Sequence, residues 1–130
     1  MENSKILIVD DDEDLIKSLS LRLRNEGYDV VSATDGYQGL EKARIEKPDL
    51  LILDVKMPAG DGFSIQERLL TQGNVWPPVI YLTGDKSVQT ELNAKKFGAC
   101  AIIYKPFDAA QLLDTVKRAL TRSLCKSAPE

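Results

Sequence analysis

A doubly wound α/β domain of five strand–helix units, built on a parallel sheet, is the fold class this sequence predicts, and three observations carry it. Four short apolar runs rich in leucine and β-branched residues recur along the chain: Ile6-Leu7-Ile8-Val9, Leu50-Leu51-Ile52-Leu53, Val79-Ile80-Tyr81-Leu82 and Ala101-Ile102-Ile103-Tyr104. Runs of this kind read as strands buried on both faces, the habit of parallel sheets. Segments of helical spacing separate them through short connections, which leaves few right-handed topologies open. Each run also ends on polar groups: Asp10-Asp11, Asp54, Thr83 and Lys105-Pro106. Ligands of open parallel sheets bind beyond the strands' carboxyl ends, so these groups are expected to meet at one edge.

Taken in order, the elements follow from spacing and punctuation. After the first strand, residues 14–26 carry Leu15, Leu19 and Leu23 at i, i+4 and i+8, with Gly27 as the stop. Residues 28–32, with Val30 and Val31, form a short second strand. Asp35 N-caps a second helix holding Leu40, Ala43 and Ile45, closed by Lys47-Pro48. After the third strand, residues 57–62 form a Pro/Gly-rich loop, and Asp61 caps a third helix bearing Phe63, Ile65 and Leu69. Trp76-Pro77-Pro78 leads into the fourth strand. Asp85 or Ser87 caps a fourth helix through Val88, Leu92 and Phe97, a thin apolar stripe followed by Gly98. Beyond the fifth strand, Asp108 caps a fifth helix with Ala109, Leu112, Leu113, Val116 and Leu120 at good helical spacing. Residues 1–122 are expected to form one domain, and residues 123–130 a flexible tail or the start of a linker.

Composition narrows the function classes. A chain of 130 residues is expected to fit one domain that buries roughly two-thirds of its unfolded surface, and a second catalytic or DNA-binding domain is not expected within it. The formal charge is −3 with both signs interspersed, so neither a nucleic-acid-binding face nor a membrane-binding stretch is indicated. No apolar run approaches the ~20 residues needed to span a bilayer, and the first five residues lack a signal-peptide core, so a cytoplasmic location is expected. Cys100 and Cys125 form no Cys-x-x-Cys pair and read as thiols of a reducing compartment. The chain has no histidine, which removes a triad base, an imidazole ligand and a phosphohistidine at once. Any metal must then be held by oxygen, which favours magnesium, calcium or manganese. Three carboxylates, a hydroxyl and an ammonium at one edge suit a divalent cation and a phosphoryl group. Clustered carboxylates repel one another unless a cation neutralises them. An ionised carboxylate of such a cluster could then attack phosphorus while the metal and the ammonium offset charge on the equatorial oxygens. Within the acidic run, Asp12, Glu13 and Asp14 also suit the positive end of the first helix as plain capping residues.

The segments I-L-I-V-D-D-D, L-L-I-L-D-V-K-M-P-A-G-D-G, P-V-I-Y-L-T-G and Y-K-P-F, in this order and spacing, resemble the receiver domain of two-component response regulators over residues 5–122. The resemblance implies a flavodoxin-like fold with strand order 2-1-3-4-5 flanked by five helices. It implies Asp54 as phosphoacceptor, Asp10 and Asp11 as the Mg²⁺-binding pair, the backbone carbonyl of Lys56 as a further metal ligand, and Thr83 and Lys105 as hydroxyl and cationic partners of the phosphoryl oxygens. It implies a sensor histidine kinase or phosphotransfer protein as donor, slow autodephosphorylation rather than enzymatic turnover, and a signalling surface on the fourth helix, fifth strand and fifth helix. That surface would include Gln89, Asn93, Lys96, Ala101, Lys117 and Arg118, and a homodimer through it is one expected partner. Lys105 before Pro106 is expected in a fixed, cis-capable turn that aims the ammonium inward.

The sequence departs from the family at Ile102, where an aromatic switch residue is usual. Tyr104 is expected to face differently from Ile102 and so not to substitute for it. Gly84 is expected to give the loop after Thr83 room to move, and Lys56 and Asp85 to tune the phosphoryl lifetime. Three other readings are weaker. A haloacid dehalogenase-type phosphohydrolase needs a second acid two residues after its nucleophile, where this chain has Lys56. A flavodoxin-like cofactor binder needs hydroxyls and glycines where residues 10–14 are acidic. A receiver-like interaction module without phosphorylation is distinguished by its failure to bind metal.

Overall fold

The computed structural model describes residues 3–55 and 77–121, and within them the expected alternation of strands and helices is present. The strands are β1 (Lys5–Val9), β2 (Asp29–Ala33), β3 (Leu50–Leu53), β4 (Val79–Thr83) and β5 (Ala101–Tyr104). The helices among the described residues are α1 (Glu13–Asn25), α2 (Gly36–Glu46), α3 (Val88–Phe97) and α4 (Ala109–Leu120). The third expected helix and the loop before it, together with Lys56 and residues 123–130, lie outside the described residues. The expected fourth and fifth helices are therefore α3 and α4.

All strand pairs are parallel and the order is β2-β1-β3-β4-β5. Alternation along the strands divides the core into two faces. Ile6, Ile8, Leu50, Ile52, Ile80, Leu82 and Ile103 pack with Ile16, Leu19 and Leu23 of α1 and Leu112, Val116 and Ala119 of α4. On the other face Leu7, Val9, Leu51, Leu53, Val79 and Tyr81 meet Ala43 of α2 and Ala94 of α3. A sheet covered on both faces explains why its central strands show no polar alternation.

The caps follow the sequence chemistry. Asp12, Asp35, Ser87 and Asp108 each accept a backbone N–H from the first turn of the helix they precede. Of the two expected caps of α3 it is Ser87 that takes the role, while Asp85 accepts the Ser87 N–H. Gly27 (φ 95°) and Gly98 (φ 79°) occupy the left-handed region that favours glycine, and the peptide bond before Pro106 is cis.

Several expectations are corrected. Val88 and Leu92, taken as the core stripe of α3, are 70% and 54% exposed, and the buried face of this helix is Thr90 and Ala94. Ile45 of α2 is likewise exposed. These helices approach the sheet through small residues, which turns the larger side chains outward. Tyr104 does share a face with Ile102, since residues two apart on a strand point the same way. Ile102 packs with the cluster that contains Ala94, and the Tyr104 hydroxyl donates to Glu91 Oε2 at 3.1 Å, so both address α3. Cys100 is disulfide-bonded rather than a free thiol, a state that no local cysteine pattern announced.

Candidate functional site

The ends of β1 and β3 lie side by side, with Val9 paired to Leu53, so the next residues, Asp10 and Asp54, emerge together. This is the point where the strand order reverses, with β2 on one side of β1 and β3 on the other, and it opens a crevice at the carboxyl edge. The backbone pins each residue there. The Asp10 N–H donates to Ala33 O at 3.1 Å, the Asp54 N–H to Val9 O at 2.9 Å, and the Lys105 N–H to Thr83 O at 2.9 Å. These hydrogen bonds prolong the sheet ladder past the strands, so the functional side chains start from rigid backbone.

Asp10, Asp11 and Asp54 each offer a carboxylate oxygen, and these oxygens all lie within 4.8 Å of one another. Asp10 and Asp54 are buried and Asp11 is exposed. Lys105, coming from the end of β5, places Nζ 2.9 Å from Asp10 Oδ2 and 3.1 Å from Asp54 Oδ2. One ammonium thus bridges two buried acids. Asp10 Oδ1 accepts the Asp12 N–H at 2.9 Å. Asp10 Oδ2 is buried and, apart from its ion pair with Lys105, has no donor aligned for a hydrogen bond.

The charge balance of this cluster is incomplete. Burial pushes the Asp10 carboxyl above its ordinary range, against the lowering effect of Lys105 and of the Asp12 amide. Burial also works to lower Lys105, but its close contacts and charge interactions with Asp10 and Asp54 outweigh this together and raise it, so the ammonium form is held. A buried carboxylate oxygen without an aligned donor, beside two further carboxylates, fits a hard cation bound through oxygen. The donor set holds no nitrogen or sulfur, which matches Mg²⁺ better than zinc or copper.

The remaining expected residues can be placed. Thr83 closes β4 at the same edge, with its hydroxyl accepting the Asp85 N–H at 3.1 Å. Lys56 lies outside the described residues. Asp12 caps α1 through the Leu15 N–H at 3.1 Å, and Glu13 and Asp14 occupy the first turn, so these three acids serve the helix. A Cβ built on Gly84 meets nothing within 4 Å, and its φ is not in the left-handed region. Glycine there supplies backbone freedom and is not demanded by sterics. Sequence reasoning missed the role of Thr90, a buried threonine on α3 whose hydroxyl donates to Asp85 Oδ2 at 2.7 Å. Its signal was a polar residue on the helix face that otherwise meets the sheet through Ala94.

The chain matches the family described as response regulator receiver domain over residues 6–117. It is 38% identical over 121 residues to the alkaline phosphatase synthesis transcriptional regulatory protein PhoP of Bacillus subtilis, covering 93% of this chain and 50% of that protein. It is 37% identical over 118 residues to the transcriptional regulatory protein PrrA of Mycobacterium tuberculosis, covering 91% and 50%. The chain spans about half the length of the curated relatives it matches. Among solved structures, a CheY-like response regulator receiver domain protein from Methanospirillum hungatei superposes with a TM-score of 0.86 at 32% identity, covering 93% of this chain and 96% of that one. Chemotaxis protein CheY4 of Vibrio cholerae gives 0.84 at 33%, covering 91% and 99%.

Proposed function

Because this chain belongs to the response regulator receiver domain family, we propose that it is a phosphoacceptor switch that takes a phosphoryl group from a phosphohistidine of a sensor kinase or phosphotransfer protein onto Asp54. The observation that carries this reading is the cluster of Asp10, Asp11 and Asp54 oxygens within 4.8 Å, bridged by Lys105. A carboxylate oxygen of Asp54 attacks phosphorus, a new P–O bond forms, the P–N bond of the donor breaks, and the imidazole nitrogen leaves with the electron pair. Lys105, already 3.1 Å from Asp54 Oδ2, follows the charge onto the phosphoryl oxygens, and the Thr83 hydroxyl donates to one of them. Asp10, Asp11, Asp54 and the Lys56 backbone carbonyl would hold Mg²⁺, which when bound neutralises the clustered carboxylates and the phosphoryl charge. Hydrolysis then forms a P–O bond to water and breaks the bond to Asp54, which releases phosphate and restores the carboxylate. This is slow self-dephosphorylation of a switch, not turnover of a substrate.

Phosphorylation biases an equilibrium between arrangements of α3, β5 and α4. Exposed Val88 and Leu92 lie on that surface and favour a homodimer through it. No described helix is long and apolar enough to cross a membrane, and we place the domain in the cytoplasm, where kinase domains and phosphotransfer proteins would meet it. The test is intact-mass analysis after incubation with a small-molecule phosphodonor, with and without Mg²⁺, on the parent and Asp54→Asn. One phosphoryl group added to the parent alone, and only with Mg²⁺, is expected. No adduct and no metal binding would leave a phosphorylation-independent interaction module.

A further inference from the structure

We propose that Thr90, acting through Asp85, is a positioning residue for the Thr83 hydroxyl, and so for phosphoryl transfer to Asp54; the link to transfer rests on the function proposed above. Thr83 is only 1% exposed. A hydroxyl has one proton and two lone pairs. The Asp85 N–H, 3.1 Å from Thr83 Oγ1, occupies one lone pair and turns the proton away from the loop. Whatever fixes Asp85 therefore fixes where the Thr83 proton can point.

Asp85 is held by α3. Its Oδ1 accepts the Ser87 N–H at 3.0 Å, and its Oδ2 accepts the Thr90 hydroxyl at 2.7 Å, a short, charge-assisted bond. With the Thr90 proton committed to Asp85, the 3.2 Å contact between the Ser87 and Thr90 hydroxyls must run from Ser87 to Thr90. The Thr90 N–H closes the ring by donating to Ser87 Oγ at 3.2 Å. Each proton in this ring has one consistent direction. Thr90 is 2% exposed and lies on the same helix face as buried Ala94. A hydroxyl on such a face is costly unless bonded, and here its bond reaches toward the site rather than along the helix. The chain of contacts from Thr90 to Asp85 to Thr83 needs no aromatic at position 102, where this sequence carries isoleucine.

The variants are Thr90→Val, which keeps the shape and removes the hydroxyl, and Thr90→Ser, which keeps the hydroxyl. The first readout is the rate of Mg²⁺-dependent phosphorylation by acetyl phosphate at subsaturating donor. Thr90→Val is expected to slow it about fivefold, within the range of couplings between members of one hydrogen-bond network, and Thr90→Ser to restore it. In a Thr83→Ala background the same Thr90→Val change should have almost no further effect, because the group it positions is gone. The second readout is the Thr83 side-chain rotamer in the unphosphorylated protein, from three-bond couplings to its methyl group. The parent and Thr90→Ser should show one rotamer, and Thr90→Val an average. An equal slowing in the Thr83→Ala background, or an unchanged Thr83 rotamer in Thr90→Val, would overturn the proposal and leave Thr90 as a capping residue of α3. If Thr90→Val does not fold, Asp85→Ala is held to the same two outcomes. A parent that accepts no phosphoryl group defeats the phosphoacceptor reading, while the rotamer comparison still decides whether Thr90 positions Thr83.

Discussion

Replacing Lys105 by methionine isolates the central electrostatic feature of the site. The substitution keeps an unbranched side chain and removes an ammonium 2.9 Å from Asp10 Oδ2 and 3.1 Å from Asp54 Oδ2. At an effective dielectric constant of about 20 each contact is worth roughly 5 kcal/mol before desolvation, which takes back most of it. Breaking a buried pair by removing one partner costs about 3–5 kcal/mol, because the surviving charge stays buried. Lys105 keeps 23% of its side chain exposed, so solvent screening lowers the expected loss to about 2–3 kcal/mol. In urea denaturation without metal, a slope of about 1–3 kcal/mol/M turns this into a midpoint lowered by about 0.7–3 M. Mg²⁺ should narrow the gap. In the parent a saturating cation adds about 2.7 kcal/mol at a hundredfold excess over its Kd. It must also share the carboxylates with the ammonium. In Lys105→Met the cation supplies the missing charge without that competitor, so Mg²⁺ should bind more tightly and stabilise the variant more than the parent. A midpoint loss of equal size with and without Mg²⁺ would refute this reasoning, as would a variant as stable as the parent in the absence of metal.

The other predictions concern single groups. Asp12→Ala should cost about 1 kcal/mol by removing the cap on α1, yet change Mg²⁺ affinity less than about threefold, whereas Asp11→Asn should weaken it more than about tenfold; metal titration of both variants checks the division of labour within the acidic run. Ile52→Ala in β3 should destabilise by about 2–5 kcal/mol, while Leu92→Ala on exposed α3 should stay within about 0.5 kcal/mol, as read by chemical denaturation. Burial raises the Tyr104 phenol above its ordinary value of 10.0, helped by the hydrogen bond and charge of Glu91. The folded state then keeps that proton longer than the unfolded chain, so stability should fall as pH rises above 10. Glu91→Gln should bring the Tyr104 titration part of the way back, measured by tyrosinate absorbance.

Much of the fold was legible because apolar runs and helical spacing are local properties. Leu50–Leu53 reads as a buried strand wherever it sits, and Asp35 and Asp108 read as caps because their chemistry acts on the next turn. The polar group after each strand was legible too, since a parallel sheet places every carboxyl end on one edge. The helix stripe at Val88 and Leu92 misled, because hydrophobicity alone does not say how close a helix lies to its sheet. Ala94 and Thr90 let α3 approach, and the larger side chains turn to solvent. The strand order was accessible only through the family resemblance.

By itself, then, the sequence determined an alternating α/β chain with acids, a hydroxyl and an ammonium at its strand ends, and no histidine to act as base, ligand or phosphodonor. Only the tertiary structure decided that one lysine bridges Asp10 and Asp54, separated from it by 95 and 51 positions in sequence, and that Asp10 Oδ2 is left without an aligned donor. It also decided that Thr90 reaches back to Asp85 and that Tyr104 turns to Glu91. The physical reason is that charge pairing and desolvation depend on distances between strand ends. Register across the sheet sets those distances, and no stretch of sequence contains them.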